Sequence, residues 1–363
     1  DCGTAVATKS GNKYIFTLEH KAAYLTFLPY FSKEQLSDPH IHKIRISADE
    51  PLAGTFEFTD EGINRAVATN TSNSIELQVN ADSWWEWQGF GIPQAPTPAT
   101  NAAMMVVAPG TYHHFTVEYI LRDPVSYVDN VIIKKTYPGE VVLNAGKNRR
   151  VVYDLPIPIY EGDKYYMWDA QKEYWFGHEN VRPKHRGAKN DNYAKDNSDA
   201  RFYNETPFPA AASQGCKDCP NINEVLWYAK KGEPRWDEEK PWLLMGHLYK
   251  RGIWFKKKNF ITGFNDSAAP DDGKDYRTET TPASYSKGSI PLVSSADDLS
   301  QYFFLPGAMG EYYNGELLAG LGHYWTSTAW KNNQAYAMHL NYTSIDIKAF
   351  DYRFFGYRIW KVE

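Results

Sequence analysis

The sequence predicts a mostly β fold with some α-helix, divided into two domains. Apolar and polar residues alternate with a period of two at residues 43–47 and 74–79, which is the pattern of half-buried strands. The 363 residues exceed the size at which a single hydrophobic core keeps growing. Nine of the 12 Trp lie in the second part of the chain, so the two parts also differ in composition. We therefore predict one domain at residues 1–155 and another at residues 156–363.

The first domain is predicted to be a sandwich of antiparallel β-sheets. Strands at residues 14–18 and 23–28 are followed by others at intervals of about ten to twenty residues, with no helical period between them. A Pro-rich stretch at residues 94–100 cannot supply the hydrogen bonds of an interior strand. We expect that stretch to be an exposed loop.

Three Trp residues precede this loop. Trp84, Trp85 and Trp87 lie within four positions of one another. Their flat faces are suited to a sugar ring or to another hydrophobic partner, so they are candidate ligand-binding residues. The alternative is that they pack against the second domain, and the sequence leaves both interpretations open.

The second domain follows a stiff junction and contains a long polar segment. Alternating Pro makes residues 155–160 extended, and an aromatic strand follows at residues 165–170. Residues 177–215 lack periodicity, which indicates either a functional or mobile loop or a solvated surface loop. His178 and His185 lie in this segment without the spacing of metal ligands, so we predict no metal site.

Cys216 and Cys219 form a CxxC pair. A structural zinc site needs about four ligands, and thioredoxin-type redox chemistry needs a parallel βαβ context, so neither is predicted. The remaining alternatives are a local disulfide and two reduced structural thiols. A short helix is predicted directly after the pair, with Asn221 as its cap and Val225 and Tyr228 on one face.

The last sixty residues are short aromatic and aliphatic strands separated by Gly and Asn turns. Their landmarks, in order, are residues 302–307, 322–328, 336–340 and 353–360. This order resembles the C-terminal half of the C-type-lectin-like modules of Bacteroidetes surface proteins. In those modules a Cys-Pro often precedes a short helix, and Cys219-Pro220 fits that pattern.

The resemblance implies a C-type-lectin-like α+β domain with long polar loops at residues 156–363. It also implies that residues 265–289 and 329–333 form the variable surface on which ligands dock. The candidate ligand-binding residues in this domain are Trp325, Trp330 and Asn332. The Glu-Pro-Asn, Gln-Pro-Asp and Trp-Asn-Asp motifs of calcium-dependent animal lectins do not occur in the sequence, so neither calcium nor another cofactor is expected.

The first domain resembles a fimbrillin-type domain. The resemblance rests on residues 16–25, 44–47, 52–56, 107–112 and 143–147. It implies a transthyretin-like sandwich in a subunit that exchanges a strand with other pilus subunits. Fimbrillins carry two sandwich domains and this chain is predicted to have one, which favours a tip or accessory subunit over a fibre-forming one.

Charge and hydropathy exclude two classes of partner. The net charge is −5 and no run of like charge is long enough to follow a nucleic-acid backbone, so no nucleic-acid partner is expected. No run of about 18 apolar residues occurs, so no transmembrane helix is predicted.

The start at Asp1 lacks the features of a signal peptide, which suggests a mature or trimmed chain. Cys2 is either a lipid-carrying residue or a structural thiol.

No catalytic residue is predicted. Gly-x-Ser-x-Gly, a phosphate-binding Gly loop and His-Glu-x-x-His are all absent from the sequence, although paired carboxylates would leave no spacing to find. We expect an exported adhesion protein at the outer membrane surface or in a fimbrium, with pilus subunits or a host or glycan ligand as partners. The alternatives are a glycan-binding lipoprotein of a polysaccharide-uptake system and a carbohydrate-active hydrolase.

Overall fold

The protein is mostly β, with 44% of its residues in strands and 7% in helices, which confirms the predicted fold class. The structure is a computed structural model and describes residues 1–80, 89–185, 187–342 and 344–362. The chain packs as two compact units. Unit 1 comprises Asp1–Ile157 and Gly246–Leu248, and unit 2 comprises Pro158–Met245 and Tyr249–Glu363.

In its described residues, unit 1 contains strands of two to eleven residues and one helical turn. In chain order these are β1 (Gly3–Thr4), β2 (Thr8–Ser10), β3 (Lys13–Ile15), β4 (Glu19–His20), β5 (Ala23–Tyr30), β6 (His40–Ser47), β7 (Ala53–Thr59), β8 (Gly62–Ser72), β9 (Ser74–Gln78), β10 (Phe90–Gly91), α1 (Pro98–Asn101), β11 (Ala103–Val107), β12 (Gly110–Tyr112), β13 (Thr116–Asp123), β14 (Val128–Thr136), β15 (Val141–Leu143) and β16 (Asn148–Asp154).

Two sheets enclose the core of unit 1. One has the order β10-β6-β13-β14, with β9 also paired to β6, and the other has the order β11-β5-β16. Their inner faces meet where Phe27 of β5 packs edge-on against Tyr119 of β13, at a ring-centroid distance of 6.5 Å. Both rings are fully buried, as the alternation of apolar residues along these strands predicts.

One strand pair differs from the predicted antiparallel sandwich. Strand β16 runs parallel to β5, with Asn148 opposite Tyr24 and Asp154 opposite Tyr30. The other neighbour of β5 is the antiparallel strand β11. The sheet is therefore mixed, and it places the last strand of the unit beside a strand from its beginning.

In its described residues, unit 2 contains one α-helix and strands of two to ten residues, one of which begins at His247 and Leu248 of unit 1. In chain order its elements are β17 (Ile159–Tyr160), β18 (Tyr165–Tyr166), α2 (Ile222–Lys231), β19 (Arg235–Leu244), β20 (His247–Lys256), β21 (Tyr285–Lys287), β22 (Tyr302–Pro306), β23 (Glu311–Tyr313), β24 (Glu316–Leu318), β25 (Gly322–Ala329), β26 (Gln334–Asn341), β27 (Ser344–Tyr352) and β28 (Tyr357–Arg358), with single 3₁₀ turns at Gly162–Lys164, Glu179–Val181, Lys258–Phe260 and Leu299–Gln301.

The strands of unit 2 form a six-stranded sheet, β18-β28-β25-β26-β27-β21, and a four-stranded sheet, β17-β19-β20-β22. The predicted helix after the CxxC pair is confirmed as α2. It begins with a capping box, in which the Asn221 side chain accepts from the backbone N–H of Glu224 and the Glu224 carboxylate accepts from the backbone N–H of Asn221. Val225 and Tyr228 of this helix are buried.

Buried Trp side chains organise the core of unit 2. The indole Nε1 of Trp168 donates to the carbonyl of Thr326 at 3.0 Å, and that of Trp242 donates to the carbonyl of Arg251 at 3.0 Å. Each ring therefore buries a large apolar area while its one polar atom keeps a hydrogen-bond partner.

Arg353 is a buried cation that joins three segments of unit 2. Its side chain is 1% exposed. It donates to four backbone carbonyls, those of Asn204 (2.7 Å), Thr206 (2.8 Å), Trp330 (3.1 Å) and Gln334 (3.0 Å). The guanidinium lies 4.3 Å from the centroid of the Trp168 ring, and burial lowers the pKa of Arg353 to about 10. The fork of donors thereby connects the loop at residues 204–206 to the turn at residues 330–334.

We predict that Arg353→Met lowers the free energy of unfolding of unit 2 by about 3–5 kcal/mol, because each buried carbonyl left without a donor costs about 1–3 kcal/mol before relaxation. Arg353→Lys should recover only part of this, since an ammonium cannot reproduce the planar fork. Urea unfolding followed by Trp fluorescence measures the change, since most Trp lie in unit 2. Lys348→Met, at an exposed position of β27, is the control and should change stability by less than about 0.5 kcal/mol. Equal effects of Arg353→Met and the control would contradict the role assigned to Arg353.

Candidate functional site

The long polar segment at residues 177–215 is held in place by a buried carboxylate. Asp169 is fully buried and lies in the left-handed region at φ 53°. Its carboxylate accepts from Asn204 Nδ2 at 2.8 Å and from the backbone N–H groups of Ser213 (2.8 Å), Gln214 (2.7 Å) and Cys216 (3.2 Å). One side chain therefore satisfies donors from the later part of the segment and fixes where that part returns to the core.

An ion pair holds the middle of the same segment. Arg201 donates to the Asp199 carboxylate at 2.6 Å through Nη2 and at 3.0 Å through Nε, and its Nη1 donates to the carbonyl of Asn192 at 2.7 Å. Arg201 is buried, and its hydrogen bonds hold the pKa of Asp199 below the ordinary value. The segment is thus ordered by polar contacts, although it lacks strands of its own.

A tight hairpin turn also contacts this segment. Asn314 and Gly315 connect β23 to β24 and both have positive φ, 47° and 79°, as in the Asn-Gly turns that suit twisted hairpins. The carbonyl of Gly315 accepts from the backbone N–H of Asn190 at 2.9 Å. A Cβ on Gly315 would overlap the carbonyl oxygen of Asn190, so the close approach requires glycine.

An aromatic cleft opens between the hairpin turn and the segment. Its volume is about 280 Å³. Tyr313 is 37% exposed, Tyr193, Phe202, Tyr203 and Phe354 are half-buried, and Tyr174 is buried at its base. The cleft is lined by Met167, Tyr174, Tyr193, Ala194, Lys195, Phe202, Tyr203, Tyr313, Asn314 and Phe354.

A polar pocket of about 400 Å³ adjoins the aromatic cleft. Phe202 and Tyr203 line both, and their ring centroids are 4.3 Å apart. Burial, and then the charge of Glu205, raises the pKa of Tyr203, so its hydroxyl stays protonated. The remaining lining is almost entirely polar: Gln171, Asn197, Ser198, Asp199, Ala200, Asn204, Glu205, Thr206 and Gln214.

The two cavities together offer ring faces beside hydrogen-bonding groups. Aromatic faces bind the apolar face of a flat or cyclic ligand, while carboxylates, amides and hydroxyls fix its orientation. In the polar pocket, Glu205 accepts from Asn197 Nδ2 at 3.0 Å, so both groups are already oriented. The arrangement suits a ligand with one apolar face and many hydroxyl groups.

The residues predicted from sequence to bind a ligand lie elsewhere. Trp325 is fully buried and its Nε1 donates to the carbonyl of Tyr166 at 2.8 Å. Trp330 is also buried and packs edge-on against Phe208. Because both rings belong to the core, neither offers a face to a ligand, which corrects the expectation for these two residues. Asn332 is exposed at φ 56° in the turn before β26, and it lines neither cavity.

The remaining predicted positions are the three Trp of the first domain and the cysteines. Trp84, Trp85 and Trp87 lie outside the described residues. Cys216 and Cys219 are buried, and their sulfur atoms are not bonded to each other. The Cys216 thiol accepts from the backbone N–H of Asp169 at 3.1 Å, and burial raises its pKa.

The residues that form the cavities were not singled out from the sequence. Phe202 and Tyr203 lie in the segment that the absence of periodicity had marked as a functional or solvated loop. Tyr313 precedes an Asn-Gly turn, which is a recognisable hairpin signal. The turn could therefore be predicted from the sequence, but its contact with the loop at residues 177–215 could not.

We predict that Gly315→Ala destabilises unit 2 more than Gly273→Ala does. Both glycines have positive φ, 79° and 69°, but a Cβ on Gly273 would meet no atom within 4 Å. The control should cost about 1 kcal/mol for its backbone conformation. Gly315→Ala should cost about 1–3 kcal/mol more, since the overlap with Asn190 forces the loop to move. Urea unfolding measures both, and equal losses would show that the turn does not hold the loop.

No protein-family model, curated protein or solved structure matches this chain. In the parts of the chain that the structure describes, no helix combines the length and the apolar character needed to span a bilayer. Among the same residues, no group of three or more His, Cys, Asp or Glu side chains is placed to hold a metal ion.

Proposed function

We propose that this chain is a cell-surface adhesion protein whose second unit binds a glycan in the aromatic cleft. The observation that carries the proposal is the half-exposed set of aromatic rings beside a pocket of amides, hydroxyls and carboxylates. The surface location follows from the resemblance to fimbrillin-type and C-type-lectin-like proteins. Ligand binding by the second unit was expected from that resemblance, but at other residues.

The rings of the cleft are held by their neighbours. Phe354 stacks on Tyr352 at a centroid distance of 5.3 Å and packs against Phe355 at 5.0 Å. Tyr313 packs against both Phe354 and Phe355, at 5.9 and 5.2 Å. Rings that are already ordered lose little conformational entropy on binding, so more of the contact energy appears as affinity. This supports a binding site over an incidental surface depression.

One carboxylate of the polar pocket, that of Asp199, is unsuited to be the general acid of a glycoside hydrolase. A hydrolase needs a general acid whose pKa is raised so that it is protonated at neutral pH. Asp199 has the opposite property, because Arg201 holds its pKa below the ordinary value. Its carboxylate is engaged in the ion pair that orders the loop. We therefore favour adhesion over the hydrolase alternative.

A glycan array, followed by calorimetry on the best ligand, tests the proposal. Tyr313→Ala should raise the Kd about tenfold, because losing roughly 1.4 kcal/mol of ring contact corresponds to that factor. Tyr342→Ala removes a more exposed Tyr that lies outside the cleft lining, and it should leave the Kd unchanged. Release of reducing ends should not be detected during binding. The proposal fails if no glycan binds or if the two variants behave alike.

A second candidate function, as a pilus tip or accessory subunit, is favoured by one edge of unit 1. Strand β11 is at the end of its sheet and points Met104 and Val106 outwards. Val106 is 47% exposed and lines a cleft of about 320 Å³ together with Phe56, Phe58 and Ile63. An edge strand beside an apolar cleft suits the addition of a strand from a partner, since the partner supplies both backbone hydrogen bonds and apolar side chains.

Val106→Lys tests this second function. A charge in the apolar cleft should prevent strand addition, so the variant should no longer be recovered with high-mass polymers sheared from the surface of producing cells. Val142→Lys is the matched control, because Val142 is 49% exposed on β15, and it should be recovered like the unmodified protein. Recovery of both variants with the polymers would exclude β11 as the acceptor edge.

A further inference from the structure

We infer that the aromatic cleft and the polar pocket are two subsites for one uncharged oligosaccharide of at least two sugar units. The inference rests on the proposed glycan binding and goes on to name the ligand's charge and minimum length. Three observations carry it: the shared wall between the cavities, the charges of their lining, and the different chemistry of the two linings.

The cavities are continuous in their lining. Phe202 and Tyr203 contribute to both, so a ligand that fills one cavity meets the wall of the other. The volume of the polar pocket, about 400 Å³, lies at the small end of the range for ligand sites, and that of the aromatic cleft, about 280 Å³, lies just below it. A ligand with one sugar unit in each cavity, linked across the Phe202–Tyr203 wall, would contact the ring faces and the polar groups at the same time.

The charges of the lining disfavour an anionic sugar. The described residues that line the polar pocket include Asp199 and Glu205 but no Lys or Arg. Arg201 neutralises Asp199 from a buried position, and it also donates to the carbonyl of Asn192. A uronic or sialic acid in this pocket would face the Glu205 carboxylate without a cation to pair with, which costs affinity.

Among the described residues that line the aromatic cleft, the one cation is Lys195. Lys195 is exposed, and its Nζ is 5.4 Å from the centroid of the Tyr193 ring. An exposed Lys contributes little to affinity, because water and salt screen its charge. It does not compensate for the acidic character of the adjoining pocket.

The two subsites make different contributions to recognition. Ring stacking in the aromatic cleft accepts many sugars, because every pyranose has an apolar face. The polar pocket discriminates, since Asn197 and Glu205 are oriented by their mutual hydrogen bond and Asn204 is fixed by Asp169. Binding strength is therefore expected to come from stacking, and selectivity from the hydroxyl pattern of the second sugar unit.

Titration with oligosaccharide ladders tests the inference. The probes are neutral ladders of one to four units built from glucose, galactose, mannose, xylose and N-acetylglucosamine, and uronic-acid ladders of the same lengths. We expect at least one neutral ladder to bind, with at least a tenfold fall in Kd from one unit to two and little change beyond that. No uronic-acid ladder should bind as tightly as the neutral ladder of equal length.

The variant Glu205→Gln separates the subsites. It should raise the Kd of the neutral disaccharide about tenfold and leave the Kd of the monosaccharide unchanged. It should also narrow the difference in Kd between neutral and uronic-acid ladders of equal length. Glu238→Gln removes the same charge from an exposed position of β19 and should change none of these values.

The outcomes distinguish this inference from the proposed function. Tighter binding of a uronic-acid ladder, or equal Kd values for one and two units, overturns the two-subsite inference but leaves glycan binding standing. The two-subsite inference is also overturned if Tyr313→Ala weakens binding while Glu205→Gln leaves the Kd unchanged for ligands of every length. If no neutral ladder, no uronic-acid ladder and no array glycan binds, the two-subsite inference and the proposed glycan binding are both overturned.

Discussion

The buried guanidinium of Arg353 determines where the loop that carries the candidate site can lie. A charge in the interior is tolerated only when hydrogen bonds compensate for its lost hydration, and here four backbone carbonyls do so. Two of them belong to the long polar segment, and the other two, on Trp330 and Gln334, lie at the two ends of the turn that leads into β26. The geometry of the guanidinium therefore fixes the distance between the loop and the sheet. The buried carboxylate of Asp169 acts in the same way, but it accepts hydrogen bonds from backbone N–H groups of the loop.

These two buried charges explain how a segment without strands can present an ordered surface. A polar loop gains little from hydrophobic burial, so its conformation has to be specified by hydrogen bonds that water cannot replace. Asp169 and Arg353 lie in the interior and supply such bonds, while the Asn314-Gly315 turn holds the loop at Asn190. The aromatic rings of the cleft are consequently displayed from a surface whose backbone is held at several points.

Local features of the fold could be predicted from the sequence, whereas the candidate site could not. The period-two strands and the cap at Asn221 leave patterns within a few residues, and the structure has both. The cleft is formed by Phe202 and Tyr203 meeting Tyr313 and Phe354, which are far apart in the chain and share no spacing. Trp325 is a candidate ligand-binding residue by the resemblance to C-type-lectin-like modules, yet its strand directs that ring into the core. Residue type alone does not reveal which face of a strand is buried.

The parallel pairing of β16 with β5 has a consequence for the order of folding. Strand β5 is central in its sheet, and one of its two neighbours is the last strand of unit 1. During synthesis, one side of β5 stays without its partner until residue 154 has left the ribosome. Contacts between such distant positions close a large loop at an entropic cost, so they form late. Newly made chains thus hold an incomplete sheet for most of the time unit 1 is being translated, an interval in which a chaperone would be of use.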